Sequence, residues 1–526
     1  MLSQYAFADI LVLFLYALTL FASGWLFSRK NRSADDYFLG GRAIPMWMVA
    51  ISVLATSQSA ATFLGGPDQG YRNDLTYLAT NIGAFIAAFF VAIFLIPKFY
   101  QNRVYTVYEL LEKRFGAQAK RQAGLMYLFG RVFASGARLY MAALAVAMIL
   151  FGNIESSSVI LSTLIITLVG LAYTVYGGIR TVIYSDVLQA FIYVAAACAV
   201  IIVLYNAIPV GMEGIIAALQ HPAPGEPSKL RVINTSLDFS PDGVFSLWSV
   251  LTGFVLLNIA AFGLDQDMTQ RVLTCKSARE GSKAMLMSVI MVIPVMLLFI
   301  IIGLLLYLYY QRPDIMAIAS DGGPVPTFAG KPVTIFMYYV LTEIPAGVKG
   351  LVTVGIIAAA LSTLNSGLNS MASVLVQDIY RPWRQQRSRI KLNEAHYVTA
   401  GRWAMAIVAA ALGLMACLCY YWQQYTATPL LQFALGVMVF SYSGLLGVYF
   451  VTLFSNRGNS TSVMLALVVG FCVPLLMQPY VMTLYLPESM QISIGFTWQL
   501  VIGTALATLI CIAGTSSPAT PTNKLA

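Results

Sequence analysis

Small hydroxyl-bearing residues recur on one face of an apolar segment in the second half of the chain. In GIIAAALSTLNSGLNS (355–370), Ala359, Ser362, Thr363 and Ser366 follow one another at helical spacing and so share a helix face. Ser362 and Thr363 supply two hydroxyl oxygens, and Ala359 supplies a carbonyl oxygen if the following turn is distorted. Sodium is a hard cation, and hard cations are bound by oxygen atoms. The stretch therefore predicts a sodium site, although small hydroxyl residues also let membrane helices pack closely.

A second set of oxygen-bearing residues interrupts another apolar segment. LATSQSAATFLGGPDQG (54–70) places threonine, serine and glutamine in the middle of a hydrophobic run. Where a membrane helix is broken, carbonyl groups at the break lose their amide partners and can coordinate a cation. We expect carbonyl oxygens of Ala55 and Gln58 to complete the sodium site. We also expect the Gly-Gly-Pro sequence at 65–67 to end the helix at the outer surface.

Three charged residues fall inside apolar segments, where an unpaired charge is costly and commonly functional. Asp186, in GGIRTVIYSDVLQA (177–190), either serves an ion or proton path or pairs with Arg180. Arg131 and Arg138 are seven residues apart and so lie on one helix face. Because a guanidinium binds a carboxylate through two hydrogen bonds, they favour an anionic substrate. Alternatively, Arg131 extends to the inner membrane surface and Arg138 bonds to backbone carbonyls.

Other polar residues mark the same kind of segment. Tyr77 and Asn81 are four residues apart in LTYLATN, so they either line one cavity or pack as an ordinary tyrosine and an interhelical asparagine. Asn258 precedes FGLDQDMTQR (262–271), which has a glycine and two aspartates inside an apolar pattern. This pattern predicts a second broken helix.

Membrane-spanning helices must position these residues. The chain has 526 residues, of which 59% are hydrophobic and 10% charged, and its mean hydropathy is +0.76. Soluble proteins carry about 25% charged residues. The strands of a membrane β-barrel would alternate over about 10 residues, whereas here apolar runs of about 20 residues recur, each long enough to cross a bilayer. We therefore predict an all-α polytopic membrane protein with about 13 transmembrane helices. The predicted spans are 5–27, 46–70, 75–97, 122–151, 157–176, 181–206, 244–271, 284–310, 346–379, 400–421, 428–454, 460–478 and 492–514.

The distribution of positive charge predicts the orientation of these spans. If the N-terminus is outside, 23 of the 31 Lys and Arg residues fall in inner loops and six in outer loops. Cytoplasmic loops carry an excess of positive charge, so the N-terminus is predicted outside and the C-terminus in the cytoplasm. The net charge of +9 is then an orientation signal. It implies no nucleic-acid partner, and no obligatory protein partner is evident.

Two blocks of five spans each begin with a broken helix. Breaks at equivalent positions are typical of inverted-repeat transporters, which bind substrate near the middle of the bilayer. An odd number of spans also inverts the second copy relative to the first. The expected organisation is a flanking helix in 1–30, a first repeat at 46–206, an outward loop at 207–243, a second repeat at 244–454, two flanking helices in 460–514 and a cytoplasmic tail at 515–526.

Taken together and in this order, these motifs resemble the sodium:solute symporter family over nearly the whole chain. The resemblance is carried by ADDYFLGGR (34–42), SQSAATFLG, YTVYGGIRTVIYSDVLQA, FGLDQDMTQR and AAALSTLNSGLNS. It implies a LeuT-type 5+5 inverted-repeat core with broken first and sixth core helices, and uptake driven by sodium. Its main sodium site maps to Ala55, Gln58, Ala359, Ser362 and Thr363.

A second sodium ion is implied by some members of that family, including bacterial sialic acid symporters. Its site maps to Asp186, Ser362, Asn365 and Ser366, so one or two sodium ions are expected. Asn365 stands where a serine is found when that site is well formed, but its amide also offers an oxygen.

The substrate implied is a small, carboxylate-bearing solute, with sialic acid or a related acid sugar most favoured. Ser-Ala-Ala-Thr-Phe (59–63) resembles sialic acid symporters, in which the Ser59 and Thr62 positions touch substrate and an arginine of the fourth span binds its carboxylate. The alignment leaves open which arginine is equivalent. Sodium/monocarboxylate and sodium/sugar symport remain alternatives, because neighbouring residues also resemble those branches. The predicted substrate site comprises Ser57, Ser59, Thr62, Tyr77, Asn81, Arg131, Arg138, Asn258 and Phe262.

Other classes of protein fit less well. Some histidine kinases carry this symporter fold as a sensor domain, but the twelve residues after the last predicted span leave no room for a kinase. The two histidines, His221 and His396, lie in a loop and at a cytoplasmic helix start, and neither HExxH nor GxSxG occurs, so no enzyme is predicted. We expect a multi-pass protein of the plasma membrane, the inner membrane in bacteria.

Overall fold

Helices account for almost all of the secondary structure, as expected where backbone groups must be hydrogen-bonded within the segment that crosses the bilayer. The computed structural model describes residues 6–28, 33–222, 227–316, 327–328, 331–387, 393–425 and 430–515. The predicted tail lies outside the described residues except for its first position. Two short strands, β1 (Thr327–Phe328) and β2 (Lys331–Pro332), pair in antiparallel fashion.

The α-helices are numbered in chain order. They are α1 Phe7–Ser28, α2 Ala34–Leu39, α3 Met46–Ser57, α4 Ala60–Arg72, α5 Thr80–Phe90, α6 Ile96–Gln101, α7 Glu109–Phe115, α8 Ala117–Phe151, α9 Ser156–Ala207, α10 Met212–Gln220, α11 Leu247–Ser249, α12 Val255–Ile259, α13 Gln266–Val272, α14 Ala278–Gln311, α15 Pro313–Met316, α16 Ile335–Thr342, α17 Val348–Val374, α18 Arg381–Arg387, α19 Glu394–Trp422, α20 Leu430–Phe454, α21 Ser460–Leu476, α22 Pro479–Met482 and α23 Phe496–Ala513. Short 3-10 or π-helical segments extend or join several of them.

Nine helical stretches of the described residues are long and apolar enough to cross a membrane, and a bent pair formed by residues 34–42 and α3 makes a tenth. Two shorter apolar helices lie within α1 and in α21. A helix overlaps each of the thirteen predicted spans. The multi-pass, all-helical prediction is therefore confirmed, while the number thirteen stays a prediction.

The fifth and sixth predicted spans lie in one long helix, α9, which is kinked at a single glycine between them. Gly178 has φ +60 and ψ −159, a backbone conformation that interrupts the helix and that side chains other than hydrogen disfavour. A Cβ atom there would lie 2.5 Å from the carbonyl oxygen of Tyr37. Gly178 thus permits both the change of direction and the close approach of α2.

The prediction that Gly-Gly-Pro ends its helix is wrong. α4 continues through Pro67 to Arg72. Gly66 and Gly70 are one turn apart and face α14, where a Cβ on Gly70 would lie 2.3 Å from the carbonyl oxygen of Ile300. Gly66 and Gly70 therefore allow α4 and α14 to pack closely. This packing stabilises α4 despite its proline.

Replacing Gly70 by alanine should lower stability, because the added methyl group meets backbone atoms that cannot rotate away. Overpacking of this kind costs about 1–3 kcal/mol. The melting temperature of the purified protein measures the effect. Gly211→Ala is the matched control, since nothing lies within 4 Å of a Cβ there and its φ is −72. Equal melting temperatures for both variants would contradict the packing role of Gly70.

Both predicted helix breaks are present, and they lie beside the same helix. The first separates α3 from α4. The second follows a π-helical segment, Ala260–Leu264, and Asp265 caps the start of α13. α17 contacts α3, α4 and α13, and it also packs against α8 and α9. The hydroxyl-rich face of α17 is therefore brought to the two breaks.

Candidate functional site

The first break leaves carbonyl groups without their helical partners. Gln58 ends α3 with φ −90 and ψ 100, and the hydroxyl of Ser59 caps α4 by accepting from the amide of Ala61 at 3.2 Å. Among the described residues, no backbone amide donates to the carbonyl oxygens of Ala55 or Gln58. A helix C-terminus also carries a partial negative charge. The break can therefore attract a cation, as the sequence predicts.

The hydroxyl groups of α17 are oriented by acceptors next to this break. Ser362 Oγ donates to Asp186 Oδ1 at 2.7 Å, and Thr363 Oγ1 donates to the carbonyl oxygen of Ala359 at 3.2 Å. A hydroxyl has one hydrogen and two lone pairs. Because each hydrogen is already engaged, the lone pairs remain to bind a cation.

A small cavity joins the broken helix to α17. Its volume is about 10 Å³, which is room for about one water molecule or one ion without its hydration shell. Ala55, Gln58, Ala359 and Ser362 line it, and Thr363 does not, although its hydroxyl bonds to Ala359. The structure thus brings four of the five residues of the predicted main sodium site to one space.

A larger cavity lies on the other side of the break, with a volume of about 130 Å³. It is lined by all nine residues of the predicted substrate site, namely Ser57, Ser59, Thr62, Tyr77, Asn81, Arg131, Arg138, Asn258 and Phe262. These residues come from four separate parts of the chain, 57–62, 77–81, 131–138 and 258–262, so the tertiary fold alone assembles them. Gln58 lines both the large and the small cavity.

The neutral polar groups of the large cavity are held by their own helices. Asn81 Nδ2 donates to the carbonyl of Leu78 at 2.9 Å, and Asn258 Nδ2 donates to the carbonyl of Phe254 at 2.8 Å. The ring of Tyr77 packs edge-on against Phe245, with 5.1 Å between the ring centroids. The cavity is therefore lined by aromatic and aliphatic side chains with a few hydrogen-bonding groups among them, as is typical of sites for small molecules.

The two arginines of α8 have different surroundings. Arg131 Nη1 donates to Asp265 Oδ2 at 2.8 Å, its Nη2 donates to Asp267 Oδ2, and the side chain is buried. Asp265 also accepts from the hydroxyl of Tyr442 at 2.5 Å. Arg131 therefore does not extend to the membrane surface, and its guanidinium is already neutralised. Its predicted role as the substrate's partner is weakened for this reason.

Arg138 has no such partner. Its Nη2 donates to Met438 Sδ at 3.0 Å. Within the part of the chain that the structure describes, no carboxylate lies within 4.0 Å of its guanidinium and no backbone carbonyl accepts from it. The alternative in which Arg138 bonds to backbone carbonyls is therefore wrong. Arg138 brings to the large cavity a positive charge that no described carboxylate contacts.

Asp186 is paired, although not with Arg180. Its Oδ2 accepts from Arg271 Nη2 at 3.1 Å and from Ser52 Oγ at 2.5 Å, while Arg180 donates to the carbonyl of Gly40. The alternative in which Asp186 pairs with Arg180 is therefore wrong; it named Arg180 because only local neighbours can be identified from spacing. The actual partner comes from the second broken helix.

The residues of the predicted second sodium site are only partly brought together. Ser362 bonds to Asp186, and Arg271 Nη2 contacts both Asp186 and the hydroxyl of Ser366. Neither amide atom of Asn365 has a partner among the described residues, and Asn365 Oδ1 lies beside Gly170. The guanidinium of Arg271 therefore lies between Asp186 and Ser366, where the second sodium ion was predicted.

Several residues that build the site were not predicted as site residues. Asp265, Asp267, Arg271 and Tyr442 form the buried charge network, and Gln189 lines the small cavity. Asp267 and Arg271 are four residues apart, the spacing of a helical ion pair, so this contact could have been predicted from the sequence. The others depend on contacts between distant helices.

Comparisons with known proteins agree with this arrangement. The sequence model of the sodium:solute symporter family matches residues 37–470. The sodium/sialic acid symporter NanT of Aliivibrio fischeri is 28% identical over 479 residues, which cover 88% of this chain and 86% of the relative. The sodium/sialic acid symporter SiaT of Proteus mirabilis is 29% identical over 382 residues, or 72% of each chain.

More distant relatives and a solved structure extend the comparison. The sodium-dependent multivitamin transporter of Oryctolagus cuniculus is 27% identical over 477 residues, covering 89% of this chain and 69% of the relative. A substrate-bound, outward-open structure of a Na+-coupled sialic acid symporter superposes with a TM-score of 0.78 and 23% identity, over 97% of both chains. That likeness shows the fold, and the match over 37–470 shows the family. This chain belongs to the sodium:solute symporter family.

Proposed function

We propose that this protein is a secondary active symporter that couples sodium entry to the import of a small, carboxylate-bearing solute by alternating access. The observation that carries the proposal is the guanidinium of Arg138, which faces no carboxylate among the described residues and lines the large cavity. Gln58, at the break between α3 and α4, lines both that cavity and the small one.

Charge balance supports an anionic solute. The buried network holds the guanidinium groups of Arg131 and Arg271 and the carboxylates of Asp186, Asp265 and Asp267. Arg138 adds the third positive charge beside three negative ones. Because a net charge inside the membrane is costly, adding one sodium ion together with one carboxylate leaves the site as neutral as before. A neutral solute would leave the charge of the ion uncompensated.

Relatives support the choice of solute. NanT and SiaT are sodium/sialic acid symporters, and all nine residues of the predicted substrate site line one cavity here. Sialic acid or a related acid sugar is the favoured solute. The multivitamin transporter and sodium-coupled monocarboxylate transporter 1 of Homo sapiens are also relatives, so a sodium/monocarboxylate-type activity is the second candidate. Both candidates use the carboxylate.

The coupling is proposed to act through the break in α3–α4. A cation bound by carbonyl groups of Ala55 and Gln58 and by hydroxyls of α17 would hold the break in one shape. Ser59 and Thr62, which begin the next helix, would then be set for the solute. By linkage, a solute that binds this shape better must also raise the affinity for sodium by the same factor.

The architecture proposed around this site is the 5+5 inverted repeat, with residues 46–206 and 244–454 as its halves and further helices flanking them. The positive charges of the inner loops support an outside N-terminus and a cytoplasmic C-terminus. In this arrangement both breaks lie at the start of their repeats, near the middle of the bilayer.

Uptake into proteoliposomes tests the function. Labelled sialic acid, a short monocarboxylate and a neutral sugar are offered with an inward sodium gradient, with equal sodium on both sides and with an inward potassium gradient. We expect accumulation of an acid only with the sodium gradient. Equal uptake in all three conditions would refute sodium coupling, and uptake of only the neutral sugar would refute the carboxylate.

Replacing Ser362 by alanine should raise the sodium concentration needed for half-maximal uptake by about tenfold, because one oxygen is removed from the cation and each factor of ten is about 1.4 kcal/mol. Ser443→Ala is the matched control, since this buried serine donates to Val439 of its own helix, away from both cavities. Sodium titration of uptake measures both. If the two variants respond alike, the hydroxyl of Ser362 does not face the ion.

A further inference from the structure

The small cavity contains polar atoms that the five predicted sodium ligands do not account for. Gln58 Oε1, Gln189 Oε1 and the hydroxyl of Tyr193 have no hydrogen-bond partner among the described residues. All three residues line this cavity and are at least 95% buried. An unpaired buried polar atom costs about 1–3 kcal/mol, so unpaired amide oxygens on two residues that line one small cavity indicate a bound group that accepts their lone pairs.

Gln189 is held in place for this role by a helix outside the two repeats. Its Nε2 donates to the hydroxyl of Tyr16 in α1 at 3.1 Å. With the amide nitrogen engaged there, the amide oxygen is the group left for the cavity. Gln189 also follows Asp186 by three residues on α9, and Ala190 and Tyr193 continue the same helix face toward α17.

The chemistry of the cavity selects a cation. Its oxygen atoms are carbonyls, amide oxygens and hydroxyls, and the hydrogen of Ser362 is already donated to Asp186. Hard cations such as Ca²⁺ take about six to eight oxygen ligands, amide oxygens among them. Of the predicted main-site ligands, four oxygens come from residues that line this cavity, namely three carbonyls and the hydroxyl of Ser362, since Thr363 does not line it. Two amide oxygens bring the number to six without adding charge.

We propose that the side-chain amide oxygens of Gln189 and Gln58 are additional ligands of the sodium ion in the small cavity, with Gln189 positioned by Tyr16 of α1. This inference rests on the proposed sodium-coupled function. It gives the flanking helix α1 a part in cation binding, through the contact between Tyr16 and Gln189. It also makes Gln58 a side-chain as well as a backbone ligand at the wall between the two cavities.

Sodium binding without transport tests the proposal. The melting temperature of the full-length purified protein is measured against sodium chloride, with choline chloride at matched ionic strength and no solute. We expect Gln189→Leu, which removes the oxygen at similar size, to raise the half-maximal sodium concentration about tenfold. Solute affinity at saturating sodium should stay within about twofold of the parent.

Three further variants separate ligation from structure. Tyr16→Phe removes the partner of Gln189 but keeps both amide oxygens, so its half-maximal sodium concentration should rise much less than that of Gln189→Leu. Gln58→Leu should weaken sodium binding and, because Gln58 lines both cavities, solute binding as well. If Gln189→Leu does not fold, Gln189→Asn keeps the amide but withdraws its oxygen by one carbon, and should also weaken sodium binding.

The failure of this inference is distinct from failure of the proposed function. If Ser362→Ala shifts the sodium titration and folded Gln189 variants do not, the amide oxygens bind water only and the inference is overturned. If the parent protein shows no difference between sodium and choline, sodium coupling itself is refuted. A shift in Tyr16→Phe equal to that of Gln189→Leu would show that the hydrogen bond between Gln189 and Tyr16, and not ligation by the amide oxygen, is responsible.

Discussion

Replacing Arg138 by alanine should reduce the affinity for a carboxylate-bearing solute at least about 30-fold, because truncating one partner of a buried charge pair costs about 2–5 kcal/mol. In the large cavity this guanidinium is the cation that no described carboxylate neutralises. Without it, the carboxylate of the solute enters a cavity whose acidic residues repel it. Calorimetry or a thermal-shift titration with the acid identified by the uptake panel measures the loss.

The controls for Arg138 separate charge from geometry. Arg138→Lys keeps the positive charge but not the two-pronged hydrogen bonding of a guanidinium, so intermediate affinity is expected. Stabilisation by sodium alone should be unchanged in both variants, since the small cavity is not lined by Arg138. Parent-like affinity of Arg138→Ala for the acid would remove the argument for an anionic solute.

The equivalent change at Arg131 should instead destabilise the protein. Arg131→Ala leaves Asp265 without a cation and takes from Asp267 one of its two, all within a buried region. Breaking a buried ion pair by removing one partner costs about 3–5 kcal/mol. We expect a clear fall in the melting temperature and in the yield of monodisperse protein, with sodium and solute absent.

A double variant tests whether the loss is electrostatic. Arg131→Met with Asp265→Asn keeps the net charge of the network and leaves Asp267 paired with Arg271. It should recover much of the stability, since apolar or neutral replacements of buried ion pairs are often tolerated. A melting temperature of Arg131→Ala equal to that of the parent would show that the network does not hold the broken helix to α8.

These opposite expectations concern two residues that sequence spacing places on the same helix face. Both are arginines seven positions apart in one apolar helix, and both line the large cavity. What distinguishes them is that Asp265 and Asp267 of the second broken helix reach only the first of them. A pairing over more than 130 residues of chain leaves no mark in local periodicity.

The helical, multi-pass architecture could be predicted from the sequence because the bilayer imposes it locally. An apolar run of sufficient length must become a helix, and hydroxyls or aspartates within such a run must be positioned away from lipid. The breaks at Gln58 and Asp265 followed from this reasoning and are present. The end of α4 was predicted wrongly. Glycines weaken an isolated helix, but here they let α4 pack closely against α14, and α4 continues.

By itself the sequence determined which elements exist, where two of them break and which residue types face the breaks, since each of these depends on neighbours within a few helical turns. Only the tertiary structure decided which arginine is neutralised, that Arg271 stands between Asp186 and Ser366, and that Gln189 shares a cavity with Gln58. These outcomes depend on side chains meeting across separate helices, where the low dielectric of the buried region makes each pairing strong.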